Sequence, residues 1–117
     1  MSLQVHFEWK EKYILVVRLS GELDHHTADQ VREQVSQAIE EKQVRHLILN
    51  LENLSFMDSS GLGVILGRYK QMKQANGEMI ICSVSPSIER LLDLSGLYKI
   101  IRIDPSEEQA LHRLGVA

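Results

Sequence analysis

The strongest constraint on the fold is a change of apolar period around Asp58-Ser59-Ser60-Gly61. Upstream, His46 to Leu51 reads as a short strand containing the unbroken apolar triplet Leu47-Ile48-Leu49. Downstream, Leu62, Ile65, Leu66, Tyr69 and Met72 recur at helical spacing. A strand end must therefore turn into a helix N-terminus here. At such a start the first backbone N–H groups lack intrahelical acceptors, and short oxygen-bearing side chains cap them. A single hydroxyl suffices for that, yet Ser59 and Ser60 double it. Gly61 and Gly63 add a residue type that costs up to about 1 kcal/mol relative to Ala inside a helix. The stretch thus predicts a backbone-positioned, partly exposed hydroxyl beside a close backbone approach. Gly63 and Gly67, four apart, predict a helix stripe against which another backbone packs.

The rest of the chain supplies the other layers. Leu3, Val5, Phe7 and Trp9 alternate with Gln4, His6 and Glu8, the pattern of a half-exposed strand. Lys10-Glu11-Lys12 is a polar turn, and Tyr13 to Ser20 is a second strand, with Ile14 to Val17 apolar throughout. Gly21 to His26 reads as a loop. Thr27 and Gln30 fit a capping box that opens a helix with Ala28, Val31, Val35, Ala38 and Ile39 on one side. Asn76-Gly77 stops the central helix, and Met79 to Val84 is the next strand. Ser85-Pro86 starts a helix bearing Ile88, Leu91 and Leu92, which Gly96 closes. Tyr98 to Ile103 is the last strand. Asp104-Pro105-Ser106-Glu107 opens a final helix with Ala110, Leu111 and Leu114. The order β-β-α-β-α-β-α-β-α predicts one α/β domain over residues 1–117. Its central sheet should be mostly parallel, with an antiparallel N-terminal strand at or near an edge.

Several function classes are disfavoured by composition. With 13 basic and 16 acidic residues the formal charge is −3, so there is no nucleic-acid footprint. Cys82 stands alone within an apolar run and reads as an inert core residue. The N-terminus lacks a basic region followed by an apolar run, and no run approaches the roughly 18 apolar residues of a membrane span. A cytoplasmic protein without membrane insertion is the expectation.

Three chemical readings of the central stretch are weak on residue grounds. Ser59 as a nucleophile, with His25 or His26 as base and Asp24 behind it, sketches a hydrolase triad. However, Met57-Asp58-Ser59-Ser60-Gly61 lacks the first glycine of the Gly-x-Ser-x-Gly elbow. Gly61, Gly63 and Gly67 miss the dinucleotide fingerprint by one residue, and no phosphate-binding Gly-Lys-Ser/Thr occurs. Asp24-His25-His26-Asp29 lacks a further ligand from elsewhere that a metal would need. No catalytic residue, metal or cofactor is expected.

Gly21-Glu22-Leu23-Asp24 together with Met57-Asp58-Ser59-Ser60-Gly61-Leu62-Gly63 resembles the STAS domain family of sulfate transporters and anti-sigma factor antagonists. The likeness covers essentially the whole chain. It includes Phe56 to Lys73 and the terminal Leu114-Gly115-Val116-Ala117, and is strongest to the single-domain bacterial antagonists. The resemblance implies a protein that is switched by phosphorylation and is not an enzyme. Ser59, first serine of the Asp-Ser-Ser-Gly motif, would be the phosphorylation site. Gly21, Glu22, Leu23, Asp24, Met57, Asp58, Ser60, Gly61, Leu62 and Gly63 would form the partner-binding surface. The implied partner is an anti-sigma factor that is itself an ATP-using serine kinase, of the stage II sporulation protein AB type. Unphosphorylated antagonist would bind it and free sigma F during sporulation. A serine phosphatase of the stage II sporulation protein E type would restore the active form. A general-stress antagonist of the same family is the alternative, and a free monomer is expected.

Overall fold

Alternating apolar and polar residues give the first strand, β1 (Leu3–Lys10), and the apolar run after the turn gives β2 (Ile14–Leu23). There follow α1 (Ala28–Glu41), β3 (His46–Met57), α2 (Ser59–Gln74), β4 (Glu78–Cys82) and α3 (Pro86–Ser95). A short 3-10 turn (Leu97–Lys99) leads to β5 (Arg102–Asp104) and α4 (Glu107–Arg113). This is a computed structural model and describes residues 2–116. Met1, part of the N-terminal reading above, and Ala117, part of the C-terminal likeness, lie outside the described residues.

The five strands form one sheet in the order β1-β2-β3-β4-β5. β1 runs antiparallel to β2 at the edge, and the remaining neighbours are parallel. The fold class predicted from the alternating periods is therefore the fold observed. Leu15, Val17, Leu47, Leu49, Met79 and Ile81 face α1, α2 and α3, with Val31, Val35, Ile65, Met72, Ile88 and Leu92 above them. Ile14, Val16, Ile48, Ile80 and Cys82 face Ala110 of α4 on the other side. Both faces being covered explains the continuous apolar runs. Each such side chain contributes about 1.5–3 kcal/mol on burial. Cys82 sits fully within this second layer, and burial pushes its thiol up to about 11. Among the described residues no helix is long and apolar enough to cross a membrane.

Several boundaries differ from the sequence reading. Gly21, Glu22 and Leu23 belong to β2, not to a loop, and β3 runs on from Leu51 to Met57. The two strands stay paired through register shifts, between Arg18 and Ser20 and between Gly21 and Glu22. Each shift inserts an extra residue on β3, so Leu51, Leu54 and Met57 all point inward at a spacing of three. That spacing hides the strand from any period-two test. Gly21 has φ +105, and a Cβ there would run into the carbonyl of Ser2, so this position accepts only glycine.

Tyr13 lies in the β1–β2 turn with positive φ, and Ser83, at φ +60, ends β4 early. The last strand is only three residues long, because the chain turns through Leu97–Lys99 after the left-handed Gly96. The capping box at Thr27 does not form, since the Thr27 side chain caps nothing in α1. Its hydroxyl instead accepts from the Asp24 N–H at 2.9 Å and donates to the Glu22 carbonyl at 2.8 Å.

Candidate functional site

The C-terminal ends of β2 and β3 lie side by side, with Leu23 opposite Met57. From there the chain enters α1 through Asp24–Thr27 and α2 through Asp58. Asp58 is the N-cap of α2, in extended conformation. Its Oδ1 accepts from the Ser60 N–H at 2.8 Å and the Gly61 N–H at 3.4 Å. Its Oδ2 accepts from the His25 N–H at 3.3 Å and lies 3.8 Å from His25 Nδ1. Its own N–H donates to the Leu23 carbonyl at 3.2 Å. One aspartate thus caps a helix and bolts the neighbouring loop to it.

Capping by Asp58 frees both serines. Ser59, the first residue of α2, is exposed, and Ser60 is half-buried. Neither hydroxyl has a hydrogen-bond partner among the described residues. Of the first N–H groups of the helix, those of Ser60 and Gly61 serve the Asp58 carboxylate, as the capping expected at such a start requires.

The two glycines of the motif divide sharply. A Cβ on Gly61 would come within 2.5 Å of Met57 Cγ and 2.9 Å of Leu23 Cγ, so the close approach predicted there exists. Gly63 and Gly67 have nothing within 4 Å of an added Cβ. Their stripe is open, and among the described residues no other backbone packs on it.

The predicted partner-binding residues separate into surface and support. Glu22, Asp58, Ser60 and Leu62 are half-buried and Gly63 is exposed. Leu23, Asp24, Met57 and Gly61 are buried, and Gly21 sits half-buried against Ser2. Met57 packs beneath Gly61 and has no apolar surface to offer. Asp24 also differs from the exposed loop residue expected. It is 6% exposed, and its Oδ1 accepts from the His26 N–H at 2.9 Å and the Thr27 N–H at 3.1 Å. Burial alone would raise its pKa, but these N–H groups and the Thr27 hydroxyl outweigh it and hold the carboxyl below its ordinary value. Sequence reasoning missed Phe56, which is 47% exposed on the last stretch of β3. An aromatic that falls between the inward positions Leu54 and Met57 was its only signal.

Among the described residues, Asp24, His25 or His26, and Ser59 do not form the relay sketched from the sequence. The Asp24 carboxylate binds backbone N–H groups, and His25 is turned toward Asp58. His25 and His26 are exposed, their rings 3.9 Å apart between centroids. Among the described residues no group of three or more metal-ligating side chains occurs.

Comparison with known proteins bears on the same stretch. The family model of the STAS domain matches residues 10–110. An anti-sigma F factor antagonist of Paenibacillus polymyxa is 56% identical over 116 residues, covering 99% of this chain and 98% of that protein. The structure of the anti-sigma factor antagonist SpoIIAA, stage II sporulation protein AA, in its unphosphorylated form matches with TM-score 0.77 and 36% identity. It covers 97% of this chain and 100% of that one. SpoIIAA of Bacillus in the phosphorylated form matches with TM-score 0.76 and 38% identity, over 95% of this chain and 99% of that one. With its β2–β3 platform, capped serine turn and full-length relatives, this chain belongs to the STAS domain family.

Proposed function

We propose that the protein is an anti-sigma factor antagonist, a regulatory binding protein and not an enzyme, switched by phosphorylation of Ser59. The observation that carries this reading is the free hydroxyl of Ser59, placed by a helix that Asp58 already caps. In the unphosphorylated form the protein binds a serine kinase that is also an anti-sigma factor, of the stage II sporulation protein AB type. The sigma factor, sigma F in sporulation, is thereby released in the cytoplasm. Glu22, Asp58, Ser59, Ser60, Leu62 and Gly63 make the contact, with Phe56 beside them, while Leu23, Asp24, Met57 and Gly61 hold that surface in shape. A serine phosphatase of the stage II sporulation protein E type reverses the modification.

The physical basis of the switch is local. Phosphorylation adds roughly −1.5 to −2 charges at neutral pH. At a solvated surface the repulsion from Asp58 costs on the order of 1 kcal/mol, against the roughly 5–15 kcal/mol that keeps a domain folded. In an interface the same dianion must lose its water, and an unpaired buried charge costs several kcal/mol. The fold survives while the complex does not. The equal likeness of this fold to both forms of SpoIIAA supports a change without refolding.

Intact-mass measurement with ATP and candidate kinases tests the proposal. One phosphate adduct is expected on the wild type and none on Ser59→Ala, which still binds the kinase. Phosphate retained on Ser59→Ala would move the site, and ester hydrolysis by the protein alone would make it an enzyme. Adduct formation only with a general-stress kinase would replace the sporulation setting by that one.

A further inference from the structure

Most of the donors that a phosphate usually finds at a helix start are already taken here. Ser60 N–H and Gly61 N–H are held by Asp58 Oδ1, and the Asp58 N–H by the Leu23 carbonyl, which leaves the Ser59 N–H as the one donor of this turn without a partner among the described residues. A phosphate on Ser59 therefore lies next to the Asp58 carboxylate with a single backbone donor to meet it, and a dianion so placed favours a cation from elsewhere. The charged groups around the turn are few. From the end of β2 comes Glu22, and from the connection after it the buried Asp24, whose carboxylate is spent on the His26 and Thr27 N–H groups. From the first turns of α1 come Asp29 and Arg32, joined to each other at 2.9 Å. Among the described residues, the imidazole that stands beside Asp58 is that of His25 in the intervening loop. His25 is tied there by its own N–H, and its Nδ1 lies 3.8 Å from Asp58 Oδ2. The ring of His26, 3.9 Å away between centroids, restricts where that of His25 can turn. Of the two rings, His25 is the one with a nitrogen placed against the Asp58 carboxylate.

We propose that His25, as imidazolium, is the counter-ion of phosphorylated Ser59, drawn from Asp58 toward the phosphate. The modification thereby reshapes the β2–α1 loop as well as adding charge. This deepens the preceding reading and rests on Ser59 being the modified residue.

Phosphoserine installed at position 59 by genetic encoding tests the inference without any kinase. The phosphorus NMR resonance is followed from about pH 4 to pH 9, across a second ionisation expected near about 6. In the wild-type background an imidazolium partner should move that ionisation lower, by about half a pH unit, than in His25→Gln. His26→Gln should move it less. His25 is exposed, so its replacement leaves the fold in place, and amide spectra check this. Equal midpoints in the wild-type and His25→Gln backgrounds, or a larger change with His26→Gln, would overturn the assignment. Failure of every kinase to modify Ser59 would defeat the proposed function instead, while this titration could still be read.

Discussion

Two helix starts on opposite faces of the sheet use the same local chemistry to different ends. At α4, Ser106 caps by accepting from the Gln109 N–H at 3.1 Å, and the first helical residue is Glu107. Arg18 grips Glu107 with Nε and Nη2 at 2.8 and 2.7 Å, and Asn50 donates to it at 2.9 Å. Arg18 also reaches Glu8 at 2.6 Å. At α2, Asp58 caps and also ties in the neighbouring loop, and the first helical residue is Ser59, whose hydroxyl is bound to nothing among the described residues. In one place the first-turn polar group is consumed by the fold. In the other a more capable cap releases it, which makes it available to a partner.

The largest effect should separate the two starts in function. Phosphorylated Ser59 should lower affinity for the kinase far more than tenfold, each tenfold being about 1.4 kcal/mol. Glu107→Gln, a charge change of the opposite sign at the other start, should leave affinity within about twofold. Titration calorimetry reads both, and a comparable loss from Glu107→Gln would break the comparison.

The next effect should separate them in stability, with the order reversed. Glu107→Ala leaves Arg18 and Asn50 short of an acceptor and should cost about 1–3 kcal/mol, whereas Ser59→Ala should stay within about 0.5 kcal/mol. Urea denaturation would show it, and a large cost at Ser59 would mean that its hydroxyl serves the fold.

The smallest effect sharpens where acid sensitivity lies. Lys10 and then Arg18 hold Glu8 at about 2, below its ordinary 4.5, and Arg18 holds Glu107 below its ordinary value. Both folded values are depressed, so their stabilisation is present above about pH 4.5 and fades as pH falls toward about 2. The melting temperature should decline over that window, and less steeply in Arg18→Gln. An unchanged slope in that variant would place the acid-sensitive groups elsewhere.

The sequence by itself determined the layers of this protein and where its serine turn falls. Apolar runs such as Ile14 to Val17 and Leu47 to Leu49 can be satisfied only between two covered faces. The Asp58 turn and the Ser85-Pro86 start carry their signals within a few adjacent residues. Local chemistry of that kind survives in any context. Only the tertiary structure decided the rest. The shifts that carry β3 on to Met57 depend on β2 being its partner, so Leu51, Leu54 and Met57 look irregular until the strands are paired. Thr27 abandons its helix because Glu22 and Asp24 compete for its hydroxyl across the loop. Gly61 is crowded by Met57 and Leu23 while Gly63 faces open space, a distinction that spacing cannot make. Asp24, polar and in a short connection, reads as exposed, yet the N–H groups of His26 and Thr27 draw its carboxylate inward. Each of these outcomes turns on which groups meet through space, and the chain alone does not say which of them will.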